Sequence, residues 1–219
     1  MSRLHAITCG IDEIARQFEA EAAPGLAIPG EIKEGLPGLV VLEKDGRRVL
    51  KSLDWGFPRS TREMRLRGEP PGRIGLVASL DNPMWDKLVV DPRYRCLIVL
   101  THFANPAGEA GAKTRSWFSL HDEPILAWAG FCRNTPEFGP VYAGMTMEAN
   151  AAVRPNNERM PVLLERHEYA RWLHGGIEDV LAFMYRKTIA PDRVKVEHSD
   201  DRWNSGALPP APARQFALL

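Results

Sequence analysis

The chain has 219 residues, 44% hydrophobic and 26% charged, enough to bury a core without disulfide or metal staples. Its 28 basic and 28 acidic side chains cancel, which excludes a global field that attracts polyanions or a membrane surface, so any nucleic-acid site has to be a local patch. Cys9, Cys96 and Cys132 are odd in number and form no C-x-x-C pair, which reads as reduced thiols rather than a disulfide framework; with no apolar run of about 18 residues and no export signal, a cytoplasmic protein is expected.

Along the chain, Ile11, Ile14, Ala15 and Phe18 fall on one helical face, with Asp12 and Glu13 at the positive end of the dipole. Glycine and proline keep residues 30–37 irregular. "LVVLEKDGRRVLKSL" then reads as a hairpin turning at Asp45-Gly46, a dipeptide that tolerates positive φ. Residues 58–74 are polar, rich in arginine and broken by Pro70-Pro71-Gly72, and are expected to be a surface loop. "DNPMWDKLVV" offers a capping Asn82 and a first-turn Pro83 for a short helix. "CLIVL", "SWFSL", "ILAWAGF" and "VYAGMTM" have the composition of sheet strands. Two helices follow, separated at Gly175-Gly176, before a tail rich in proline and alanine that is expected to be mobile. The irregular order of strands and helices indicates one α+β domain over residues 1–200, with the tail at 201–219.

No phosphate-binding glycine loop, hydrolase elbow or zinc-spaced histidine pair is present, so neither a metal nor a cofactor is expected. His121-Asp122-Glu123 reads as a solvated turn. Trp55-Gly56-Phe57-Pro58 has two readings, a platform for an unpaired base or core aromatics beside a turn. Arg59, Arg62, Arg65, Arg67 and Arg73 likewise form either a phosphate-binding strip or a solvated loop.

Taken together, "IDEIARQF", "LDWGFP", "DNPMW", "RCLIVLTHFANP", "TRSWFSL", "AWAGFCRN", "GPVYAGMTM" and "NERMPVLL" resemble the SRAP family, the SOS response-associated peptidases or abasic-site processing proteins, over about residues 1–165. The resemblance implies a twisted, barrel-like arrangement of mainly antiparallel sheets flanked by short helices, with a groove for single-stranded DNA. It also implies an N-terminal cysteine whose amine and thiol close a thiazolidine with the aldehyde of an abasic site, helped by an asparagine, a glutamate and a histidine. Those positions are overwritten here. The cysteine position is Ser2, the glutamate position Asn105, and the histidine position Asn157, while the family's Asn-x-Arg pair falls on Leu76 and Ala78. An amide hydrogen-bonds but transfers no proton near neutral pH. Trp55, Phe57 and Arg159 occupy positions that the resemblance turns toward DNA.

The leading expectation is therefore a degenerate relative that recognises single-stranded or abasic DNA without the stable crosslink. Two alternatives stay open. The Ser2 α-amine can form a reversible imine or cleave an abasic strand, or the fold serves as an interaction module, for instance beside an active paralogue. A monomer that makes no membrane contact is expected in each case.

Overall fold

The computed structural model describes residues 4–212. Helix α1 (Ile11–Phe18) forms as its periodicity dictates, burying Ile14 and Phe18, and the Glu13 carboxylate accepts from the Gly10 backbone N–H to cap its start. It ends at Glu19 in the left-handed conformation, φ 51°.

One sheet orders β14 (Arg159–Pro161), β13 (Gly139–Glu148), β12 (Leu126–Thr135), β9 (Arg95–Leu100), β4 (Pro37–Lys44), β5 (Arg47–Trp55) and β2 (Ala20–Ala22), with β15 (Leu163–Leu164) on β12 and β8 (Leu76–Val77) on β13. β4 and β5 are the expected hairpin, turning at Asp45 and Gly46 with φ of 52° and 73°. β5 also pairs in parallel with β13, Asp54 opposite Val141 and Trp55 opposite Tyr142. The path β13-β12-β9-β4-β5 therefore closes on itself as a barrel.

A second sheet orders β16 (Val194–Arg202), β11 (Thr114–Leu120), β10 (His102–Ala107), β1 (Leu4–Ala6) and β3 (Glu31–Lys33), all antiparallel. The chain passes from one sheet to the other at Thr101. There the Thr101 backbone N–H and hydroxyl both donate to the Ala6 carbonyl, at 2.8 and 3.0 Å. Helices α3 (Asp86–Val90), α4 (Tyr169–His174) and α5 (Ile177–Tyr185) flank the sheets. Among the described residues the molecule is the expected α+β domain of mostly antiparallel sheets with short helices. No described helix is long and apolar enough to cross a membrane.

Two segments differ from expectation. Residues 58–74 are not a continuous loop: β6 (Phe57–Arg59) pairs with β7 (Gly72–Ile74), and α2 (Arg62–Arg67) lies between them. Thr61 caps α2 through the Met64 N–H, and Gly68 closes it in the left-handed conformation. Residues 31–33, inside the stretch read as irregular, form β3. Of the segment expected as a tail, residues 201 and 202 complete β16. Beyond them the buried Arg115 donates to the carbonyls of Trp203, Gly206 and Ala207, and Pro209 is buried.

Candidate nucleic-acid interface

Three residues stand side by side on neighbouring strands. Asn105 on β10 is opposite Ser116 on β11, which is opposite His198 on β16, so their side chains share one face of the sheet. Asn105 and Ser116 are buried and His198 is exposed. Ser116 Oγ lies 2.8 Å from His198 Nδ1 and accepts from Asn156 Nδ2 at 3.1 Å. Asn157 Nδ2 donates to Asn105 Oδ1 at 3.0 Å.

The turn between β13 and β14 brings both asparagines to this row. Its first residue, Asn150, accepts from the backbone N–H groups of Ala152 and Val153 and donates to the Ile189 carbonyl. This is the local turn chemistry that asparagine favours. Leu4, the first described residue, pairs with Ala104, next to Asn105. Ser2 lies outside the described residues.

Asn157 also connects the row to Arg159, since its Oδ1 accepts the Arg159 backbone N–H at 3.0 Å. The Arg159 guanidinium donates from Nε to Thr146 Oγ1 at 2.9 Å and from Nη2 to the carbonyls of Ala78, at 2.9 Å, and Thr146. These acceptors are neutral. Among the described residues no carboxylate lies within 4 Å of the guanidinium; the nearest in the ladder is Glu148, directly opposite Arg159 on β13. Burial pushes its pKa down from the ordinary arginine value, while Glu148 and Tyr185 push it up.

Arg159 lines a cleft of about 870 Å³ together with Ala78, Arg154, Tyr185, Arg186 and Lys187; Glu148 is the one acidic residue in its lining. Arg186 is committed to Glu168 and the Leu163 carbonyl, and Arg154 lies 3.7 Å from Glu148. The arrangement is suited to holding an anion and to hydrogen-bonding neutral polar groups. Proton transfer is another matter: the row of Asn105, Ser116, Asn156, Asn157 and His198 contains one imidazole and no carboxylate.

The structure thus brings Asn105, Asn157, Arg159 and the Ala78 backbone together, and places the other expected residues elsewhere. Trp55 and Phe57 are each 1% exposed. Trp55 Nε1 donates to the Gly75 carbonyl at 2.7 Å, and its ring is stacked parallel to that of Tyr142. Neither ring has an open face, so the stacking-platform reading gives way to core packing. The Leu76 side chain is also buried, on β8 against β13. In the arginine strip, Arg67 faces Glu63 and Glu69, and Arg73 lies over the Phe138 ring, and none of the five lines the cleft. Asp122 and Glu123 pair with Arg193 and Arg166.

Sequence reasoning missed Ser116, Thr146, Asn156, Tyr185, Lys187 and His198. For Asn156 the signal was present, since it adjoins Asn157 in an amide-rich turn. Strand register alone reveals Ser116 and His198, which are 82 residues apart.

A barrel-closed sheet joined at Thr101 to a second antiparallel sheet, with a polar row beside Leu4, makes a mixed α/β domain of mostly antiparallel strands. The family described as SOS response associated peptidase (SRAP) matches residues 3–197, and the chain belongs to it. Crystal structures of similar fold include a protein from Bordetella bronchiseptica (18% identity, TM-score 0.75, covering 91% of this chain and 99% of that one). A second is from Bacteroides thetaiotaomicron (14% identity, TM-score 0.71, 90% and 91%). A third is a phage-related protein from Bordetella bronchiseptica (16% identity, TM-score 0.63, 91% and 94%). A search of curated proteins gave no match. Family membership supports a role related to DNA damage.

Proposed function

We propose that this SRAP-family protein recognises single-stranded DNA, including abasic DNA, and does not form the stable thiazolidine crosslink. The observation that carries the reading is Arg159: a guanidinium fixed by Thr146 and the Ala78 carbonyl, without a carboxylate partner among the described residues, at the wall of a cleft shared with Arg154, Arg186 and Lys187. Such a group pairs with a phosphate at little cost in side-chain ordering. The absence of crosslinking follows from residue chemistry. Ser2 has no thiol, and the Asn105–Asn157 amide pair occupies the place of the acid and the imidazole, leaving neither to move a proton.

The test is the affinity for a single-stranded oligonucleotide as a function of salt. Arg159→Ala should weaken binding roughly tenfold, the loss of one charge-assisted contact, and reduce the salt slope by about 0.7, one phosphate on a single strand. Undetectable binding at low salt, or binding indifferent to Arg159→Ala, removes the reading. With an oligonucleotide carrying one abasic site, no denaturation-resistant band is expected without reductant. A band that forms only with borohydride would assign imine chemistry to the N-terminal amine.

A further inference from the structure

We propose that the C-terminal end of α5 is a nucleotide subsite of the cleft, with Tyr185 as the face on which a base stacks and Lys187 as the cation for the adjoining phosphate. The proposal rests on the single-stranded DNA reading above and specifies where the bases lie. It begins with the helix. α5 buries Val180, Phe183 and Met184, and this face satisfies its packing. Tyr185, its last residue, is 72% exposed. The ring has no part in the core, yet it lines the same cleft as Arg159.

The cations divide into two sets. Arg186 and Arg154 have carboxylates, Glu168 and Glu148, as partners. Arg159 and Lys187 have none within 4 Å among the described residues, and Lys187 is exposed. Two positive charges with no carboxylate within 4 Å, and an open aromatic ring in the same cleft, match a chain that alternates phosphates and planar bases. An acidic peptide would satisfy the charges but gain nothing comparable from the ring. That difference favours nucleic acid over an acidic peptide, and it also provides the experiment.

Affinities of the full-length protein are compared for oligothymidylate and for an all-abasic tetrahydrofuran oligomer of equal length, which keeps the phosphates and lacks the bases. The wild type should prefer oligothymidylate by at least about fivefold, the lower end of what stacking one base contributes. Tyr185→Ala should abolish the preference and leave tetrahydrofuran binding unchanged, and Tyr185→Phe should retain it. Lys187→Ala should weaken both oligomers alike and lower the salt slope by about 0.7. A thymidylate preference that survives Tyr185→Ala, or no preference in the wild type, overturns the subsite while leaving DNA binding standing. Failure of the wild type to bind either oligomer removes the DNA reading and the subsite with it.

Discussion

His5 is fully buried, with its ring edge-on to Trp55 and Trp128 and its Nε2 3.3 Å from the Tyr142 hydroxyl. Burial lowers its pKa to about 3, and that of His102 to about 4. Both are therefore neutral in the native protein at pH 7, whereas an unfolded histidine titrates near 6.5. Below about pH 6.5 the unfolded chain takes up protons that the folded chain refuses. Stability is then fully present above that pH and falls as pH drops toward the folded values, by up to about 1.4 kcal/mol per pH unit for each residue. Urea unfolding at pH 7, 6, 5 and 4 should show this slope, and His5→Gln should reduce it by one proton's worth even where it lowers stability overall. A slope unchanged by His5→Gln would mean that His5 takes up its proton as readily in the native state as in the unfolded chain. At this same scale, Asn105 and Asn157 were each singled out in the sequence through the resemblance. Their contact with each other required 52 residues of intervening fold.

Close approach of β12 and β13 depends on glycine. A Cβ at Gly144 would lie 2.0 Å from Trp128 Cζ2, and the Trp128 indole is pinned by donating from Nε1 to the Met145 carbonyl at 2.6 Å. The ring has no room to retreat, so Gly144→Ala should destabilise the protein by about 2–3 kcal/mol, measurable as a fall in the urea midpoint. The contrast with Gly46 is instructive: a Cβ there meets nothing within 4 Å, and only its positive φ opposes substitution. The strands and the hairpin were legible because half-buried or buried β elements leave apolar runs bounded by turn residues. α2 was not, although Thr61 and Gly68 are sound boundary signals, because it buries no residue and so leaves no helical period. The two readings of Trp55 and Phe57 stayed open in the sequence for a related reason. Aromatic residues at Trp55 and Phe57 look the same in sequence whether a sheet covers them or not.

Over the whole molecule, barrel closure depends on the parallel pairing of β5 with β13, segments more than 80 residues apart, and local sequence carries no sign of that contact. Arg115 makes a second long-range connection. Fully buried, it pairs with Glu31 at 2.6 Å and donates to the carbonyls of Trp203, Gly206 and Ala207, joining β3, β11 and the segment after β16. Arg115→Met should cost about 2–3 kcal/mol, because the carbonyls of Trp203, Gly206 and Ala207 lose their donor, while Glu31 keeps Lys33 at 2.6 Å. Adding Glu31→Gln in the same chain should restore little of it, since Lys33 already holds the carboxylate; recovery of most of the stability would show the Glu31 charge to be the larger part. The grip on residues 203–207 is largely on main-chain oxygen atoms, which every amino acid supplies. Gly206 is the exception, since a Cβ there would meet Asp201 and the Arg115 side chain. The seat beside Arg115 therefore works as a slot for a backbone of the right course, keyed by glycine at that one point and anchored at its entrance by Trp203 against Leu4, Ala104 and Trp117.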